Sequence, residues 1–295
     1  MTKRIDLFRL KIYSACNLNL QLRDIITTCK LCSYCGRQNL NGYKRYSNKT
    51  SLVKELPKEL ILERLEDFLS GRSGHRERDF TKKFKYLQKT KWIKYVGKEW
   101  TLGDKELREN ILKTLNKHNI RIMIKTKTGN FTAKEINLLT IGKHKICLSI
   151  DFFSEDLRLM FSNDTKNTNS QKLKYLKIYE LNDNTHIIAL QPFFFQYTLC
   201  YDKSGKELMD YIRTRKIDLL VNYYTGNILK IKEKGLKLPT PKSFINNNDY
   251  YQRTICEKWH SNLKSLFPHN RINYYNSCRM SKYNQSKFCC YVDTD

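Results

Sequence analysis

No apolar run in the sequence approaches the ~20 residues of a membrane-spanning helix. The opening, MTKRIDLFRLKIYSACN, lacks the basic, apolar and small-residue regions of a secretory signal in succession. A cytoplasmic protein without a membrane anchor is therefore expected. Proline and glycine are scarce, at 5 and 11 of 295 residues. Collagen-like and coiled-coil readings are excluded, and neither an internal repeat nor a low-complexity linker is present. Acidic residues are also short: 29 Asp and Glu stand against 55 Lys and Arg, a net charge of +26. The surplus favours polyanionic partners such as tRNA, DNA or an acidic surface. A coding bias towards Lys, Asn, Ile and Tyr produces the same surplus, and the runs NNN and NYYN fit it. Charge alone identifies no substrate.

What is present is an alternation. The hydrophobic share is 40% and the charged share 28%, ordinary for a folded chain long enough for a sizeable core. LFRLKIY (7–13) reads as a first strand, ending just before Cys16. Residues 56–70 place Leu56, Leu60, Ile61, Leu65 and Phe68 at helical spacing, with Gly71 as a stop. KWIKYV (91–96), RIMIK (121–125), KICLSI (145–150), HIIALQ (186–191) and IDLLVNYY (217–224) read as further strands. Helical patterns at 104–117, 171–181 and 205–216 separate several of them. Six strands alternating with helices imply right-handed crossovers and a parallel sheet, an α/β fold. Ligands of such sheets lie outside the carboxyl ends of the strands. Residues 72–90 read as a basic surface excursion. After about residue 235 the alternation stops, at LPTPK (238–242) and NNND (246–249). The expected organisation is an α/β unit over 1–235 and a Cys-, Tyr- and Asn-rich extension over 236–295.

Ten cysteines in a reducing compartment point to metal or catalysis rather than a disulfide framework. Cys147 and Cys200 sit in apolar surroundings and read as small buried hydrophobes. Cys16, Cys29, Cys32 and Cys35 lie near the start, and Cys256, Cys278, Cys289 and Cys290 near the end. Thiolates ligate zinc and iron–sulfur clusters. A zinc ribbon needs a second Cys/His pair at a sensible distance, and none follows the first group until the tail. A nuclease knuckle needs a downstream histidine motif, whereas His75, His118, His144 and His186 stand alone.

Cys32-Ser33-Tyr34-Cys35, with SACNL at 14–18, resembles the cysteine loop of the radical S-adenosylmethionine superfamily, which follows the first strand and carries an aromatic residue inside its last pair. The first cysteine departs from the usual spacing: Cys29 gives C-x2-C-x2-C and Cys16 gives C-x15-C-x2-C. Cys16, Cys32 and Cys35 are the favoured set, because Cys16 falls at the expected end of the first strand; Cys29 is the alternative to Cys16. Later strand ends are similar to the family in order. Val96-Gly97-Lys98-Glu99-Trp100-Thr101-Leu102 resembles G-G-E-P-T-L, Thr126–Gly129 resembles T-x-G, Ser149-Ile150-Asp151 resembles S-l-D, and Gln191-Pro192 closes the next strand. The resemblance covers about residues 7–230.

The resemblance implies a partial (β/α)6 barrel of parallel strands, a [4Fe–4S] cluster with one iron open to S-adenosylmethionine, and an electron donor such as flavodoxin or ferredoxin. It implies reductive cleavage of the cofactor to a 5′-deoxyadenosyl radical that abstracts hydrogen from substrate. Tyr34, Gly97, Glu99, Thr128, Ser149, Asp151 and Gln191 are the implied cofactor contacts, Glu99 meeting the cofactor's ammonium group. No catalytic acid or base is assigned. The tail cysteines suit a second cluster, as in peptide-modifying members, or zinc, or free thiols. The substrate class is left between nucleotide or nucleic acid and peptide. The alternative from another class is a non-catalytic zinc protein that binds nucleic acid through its basic surface.

Overall fold

The apolar runs WIKY, RIMIKT, KICLSI, HIIALQPF and DLLVNY lie side by side as parallel strands. Runs this apolar are what a parallel sheet covered on its faces requires. The computed structural model describes residues 8–10, 18–20, 57–72, 79–95, 99–162, 164–181, 186–194, 196–215, 217–223, 234–236 and 259–274. Its strands are β1 (Phe8–Leu10), β2 (Leu18–Leu20), β3 (Trp92–Tyr95), β4 (Arg121–Thr126), β5 (Lys145–Ile150), β6 (His186–Phe193), β7 (Asp218–Tyr223) and β8 (Ile272–Tyr274). Its helices are α1 (Lys58–Leu69), α2 (Phe80–Thr90), α3 (Lys105–Lys117), α4 (Ala133–Ile141), α5 (Glu155–Phe161), α6 (Asn169–Leu181), α7 (Gln196–Leu199), α8 (Lys203–Thr214) and α9 (259–266). A short 3-10 turn, Trp100–Leu102, follows β3.

Spatial order equals chain order, β1 to β8, and every pair from β2 onward is parallel. Right-handed crossovers that always step the same way send the helices to one face. The result is an open (β/α) barrel, as the sequence implies. Two details differ. The segment 7–13 was expected to open the parallel series, but Phe8–Leu10 runs antiparallel to Leu18–Leu20. The parallel series therefore opens with β2, which Cys16 precedes in the chain and Cys29 follows. At the other end, β8 pairs with β7 although it lies in the segment expected as an extension. Residues 72–90, read as a surface excursion, contain α2, whose Phe80 and Phe84 pack on Phe68 of α1 with ring centroids 5.5 and 6.2 Å away.

The sheet's two faces differ. Ile122, Ile124, Ile146, Leu148 and Ile150 face the helices and merge with Ile111, Leu112, Leu115 and Leu139 into the main core. Each such side chain stabilises by about 1.5–3 kcal/mol on burial. Met123, Cys147, Ile187, Ala189 and Leu220 form a separate cluster on the inner face. Helices start just past the strand carboxyl ends on side-chain caps: Asp104, Ser154, Asp202 and the capping box of Thr132 with Glu135. Each cap contributes about 1 kcal/mol. At the opposite, amino edge, Lys91, Asn119 and Lys143 precede β3, β4 and β5 with φ of 55°, 53° and 48°. The left-handed conformation costs a non-glycine residue about 1–2 kcal/mol.

His144, next along from Lys143, is buried, and its Nδ1 accepts the Ile122 N–H at 3.0 Å. Gly142 has no alternative beside it: a Cβ there would lie 2.0 Å from Asn116 Oδ1 and 2.4 Å from His144 Nε2. Burial, with Arg121 nearby, lowers the His144 pKa from 6.5 to about 4. The unfolded chain thus binds a proton that the folded chain refuses between these values. Stability is full above pH 6.5 and declines as pH falls towards 4, by about 3 kcal/mol from this group. Urea denaturation at about pH 7 and about pH 4.5 should show this loss, and His144→Asn should flatten it.

Candidate functional site

Three consecutive strands lead to polar residues at one edge. β3 leads to Glu99, β4 ends in Thr126 and leads through Lys127 and Thr128 to Gly129, and β5 carries Ser149 and leads to Asp151. Glu99 is 8% exposed. Its Oε1 accepts from the hydroxyls of Thr101 at 3.3 Å, Thr128 at 3.2 Å and Thr126, and its Oε2 accepts the Lys127 backbone N–H at 2.8 Å. Hydrogen bonds to an ionised acceptor are the strong kind, and they offset the cost of burying this charge. The Thr126 hydroxyl also accepts the Gly129 N–H at 3.0 Å, so the same group closes the turn after β4. Gly129 has φ of 64°, and a Cβ there would meet Tyr175 at 3.0 Å and Tyr179 Oη at 3.1 Å. The turn therefore requires glycine. Tyr179 donates its hydroxyl to the Gly129 carbonyl and fixes the turn from α6.

The 3-10 turn that carries Thr101 is braced from outside. Trp100 is buried and donates its Nε1–H to Glu135 at 3.2 Å, while Arg108 donates to the Trp100 carbonyl at 3.2 Å. A second electrostatic step leads from β4 to β5. The Lys127 ammonium lies 3.7 Å from one Asp151 oxygen, and Lys172 Nζ lies 3.5 Å from the other. Lys172 and Asp151 side chains are 3% and 4% exposed. Burial pushes the Lys172 pKa down, and the Asp151 carboxylate works against that shift. Glu99, Lys127, Asp151 and Lys172 thus form one charged chain across the edge of β3–β5. On the inner wall below it, Lys94 pairs in register with Met123 and Lys125 with Cys147. Cys147 is fully buried; burial raises its thiol pKa, and Lys125 and Lys94 oppose the rise.

Of the residues singled out in the sequence, Glu99 and Thr128 are in direct contact, Ser149 lies in β5 and Asp151 directly follows it. Gln191 lies within β6. Tyr34, Gly97, Cys16, Cys29, Cys32, Cys35, Cys256, Cys278, Cys289 and Cys290 lie outside the described residues. Among the described residues no group of three or more His, Cys, Asp and Glu could hold a metal ion. Cys200, expected to be buried, is exposed: it lies just past the short helix α7. Lys127 and Lys172 were not foreseen. Lys172 sits in KLKYLK, where a lysine reads as a solvated helix residue until the fold brings Asp151 to it.

No family profile matches the sequence, and no curated protein is similar to it. Solved structures are similar. Native anSMEcpe with bound AdoMet matches at 15% identity and a TM-score of 0.53 over 92% of this chain and 68% of that one. Its complex with AdoMet and the Cp18Cys peptide gives 15%, 0.51, 92% and 67%. Streptococcus suis SuiB bound to S-adenosylmethionine gives 13%, 0.47, 81% and 48%; the chain spans about half the length of SuiB, and this likeness is too distant to argue from. At these identities the likeness to anSMEcpe is one of fold. By fold, the chain is an open (β/α) barrel that presents a carboxylate cradle at the carboxyl edge of its strands. That fold agrees with the resemblance to the radical S-adenosylmethionine superfamily drawn from the motifs.

Thr126 bridges Glu99 and Gly129, so Thr126→Val removes a donor from a buried carboxylate and an acceptor from a buried amide together. A loss of about 2 kcal/mol in urea denaturation is expected, and less for Thr101→Val at the more open end of the cradle.

Proposed function

We propose that the chain is a radical S-adenosylmethionine enzyme, with the cofactor seated at the carboxyl edge of β3–β5. The observation that carries this reading is the Glu99 cradle. The threonine hydroxyls gather on Oε1, and among the described residues Oε2 takes one donor, the Lys127 N–H. A carboxylate oxygen has room for a second donor, which suits an α-ammonium group. Lys127, whose side chain is 28% exposed, offers a cation for a carboxylate one strand further on. Ser149 and Asp151 supply polar contacts for a ribose, and Tyr34, Gly97, Thr128 and Gln191 complete the proposed set.

Cys32 and Cys35 are proposed as two ligands of a [4Fe–4S] cluster. For the third, strand direction favours Cys29. The chain leaves the carboxyl end of β2 at Leu20 and runs on to Cys29, Cys32 and Cys35, whereas Cys16 comes before β2. Residues 7–13 were expected to open the parallel series and that role falls to β2, while the SACNL word at 14–18 keeps Cys16 as the alternative. When bound, the cluster and S-adenosylmethionine together supply one-electron cleavage of the sulfonium and hydrogen abstraction from substrate. The protein's part is to bind, orient and exclude water. A flavodoxin- or ferredoxin-type donor would supply the electron, and a reducing, cytoplasmic setting suits thiolate ligands. Cys256, Cys278, Cys289 and Cys290 are proposed for a second cluster or zinc. The substrate is proposed to be a nucleic acid, nucleotide or peptide. The peptide held in the anSMEcpe complex supports the last, and the Lys94 and Lys125 inner wall suits an anionic one.

Anaerobically purified protein should contain iron and sulfide near four each per cluster, about twice that if the tail binds another. Reduced protein with S-adenosylmethionine should release 5′-deoxyadenosine. Stoichiometric zinc without acid-labile sulfide would instead establish the non-catalytic zinc protein.

Two sets of variants test the assignments. Cys29→Ala should lose the cluster's visible absorbance and Cys16→Ala should keep most of it; the reverse would restore Cys16 as the ligand. Glu99→Gln should keep the absorbance while weakening cofactor binding at least tenfold, read by equilibrium dialysis.

A further inference from the structure

The amino edge of the barrel, opposite the proposed site, carries a second feature. The second half of α2, the loops entering β3 and β5 and the first residue of β4 expose Lys85, Lys89, Lys91, Lys143 and Arg121. Adjacent parallel strands lie ~4.8 Å apart, so Lys91, Arg121 and Lys143 make a row about 10 Å long. Arg121 is tied to Lys91 by its backbone N–H, which donates to the Lys91 carbonyl at 2.8 Å. Lys85 and Lys89 extend the row along α2 by ~6 Å. Between Asp79 and Glu99 the sequence has no carboxylate, nor has it one between Arg121 and Lys134 or from Ile136 to Ile150. Glu66 of α1 is held by Lys117 at 2.9 Å and His118 at 3.0 Å. Those partners pull its pKa down to about 2, so it stays an anion already matched.

Lysine at the ends of helices suits the helix dipole, and for Lys89 that is explanation enough. It does not explain Lys91 and Lys143. Both occupy left-handed positions where glycine or asparagine sits without strain, as Asn119 does in the loop between them. The loops on either side of Asn119 carry a cation at the same left-handed position, the Lys91 ammonium donating to Gln88 at 2.8 Å. Strain retained at matching positions of one surface points to a requirement for the side chains themselves.

We infer that this amino-edge row binds the phosphate backbone of a single-stranded nucleic acid. Lysine ammoniums are point charges on flexible stems, suited to phosphates that must be followed rather than read. An acidic protein partner is less well served. Ile141 is the one large apolar side chain exposed beside the row among the described residues, too little for the apolar centre of a protein interface. The inference does not rest on the proposed chemistry, since the row lies at the other end of the strands and needs neither cluster nor cofactor.

The test uses the full chain and a single-stranded RNA of roughly 20 nucleotides, followed by fluorescence anisotropy from about 50 to 200 mM salt. Lys91→Asn with Lys143→Asn should weaken binding at least tenfold and reduce the salt slope by about 1.4, two phosphate contacts' worth. The same variant should melt at the wild-type temperature or above it, because asparagine relieves both left-handed positions. Lys203→Gln with Lys206→Gln, exposed on α8, removes equal charge elsewhere and should change affinity less than twofold. Equal weakening by the two double variants would overturn the row in favour of diffuse charge. So would an absence of RNA binding by the wild type. Polyglutamate of matched charge displacing the RNA at equal concentration would overturn it in favour of an acidic protein.

Discussion

Strands β2 to β8 run in one direction, and that single constraint decides where everything else can be. Backbone pairing in parallel registers, such as Ile124 with Ile146 and Leu148 with Ile188, fixes which residues reach the same edge. Once those registers are set, Glu99, Thr126 and Asp151 arrive together without any sequence proximity. The helix caps Asp104, Thr132, Ser154 and Asp202 arrive at that edge too, since each helix begins where a strand has just ended. The amino edge receives what remains: helix ends, short loops and lysines.

The two edges use charge differently. At the carboxyl edge charges are buried and mutually satisfied, Glu99 by hydroxyls and an amide, Asp151 by two lysines. Groups held in this way pay their ordering cost during folding and meet a ligand already oriented. At the amino edge Lys85, Lys89, Lys91 and Lys143 are exposed and screened by water and salt. An excess of +26 over the whole chain says nothing of this division; only the fold separates cations that organise a site from cations that face outward.

The strands that could be read from sequence were those whose burial makes them almost wholly apolar. The expected 145–150 and the observed Lys145–Ile150 coincide, and β3, β4, β6 and β7 agree to within two residues at each end. The β1–β2 hairpin escaped because LNL is three residues with a polar centre, too short for periodicity to register. Helix α2 escaped because Lys82, Lys83, Lys85 and Lys89 mask the spacing of Phe80, Phe84 and Leu87. At the site, Glu99 and Thr128 were legible as members of ordered strand-end words. Lys172 was not, because its role depends on a contact with Asp151 across the fold.

Because neighbours in the sheet are neighbours in the chain, the barrel can be assembled in the order of synthesis. Each strand from β4 to β7 emerges seconds after the one it pairs with, at about 5–20 residues per second. The two ends are less favoured. β2 waits for β3 until more than seventy residues later, Leu20 to Trp92, and β7 waits for β8 until Ile272. During both intervals an unpaired strand edge stands open to other nascent chains. Leu263 and Phe267, both fully buried, also join the core only near the end. Residues 259–274 therefore join the sheet and its core last, and a ribosome that stops short of them releases β7 without the strand that pairs with it.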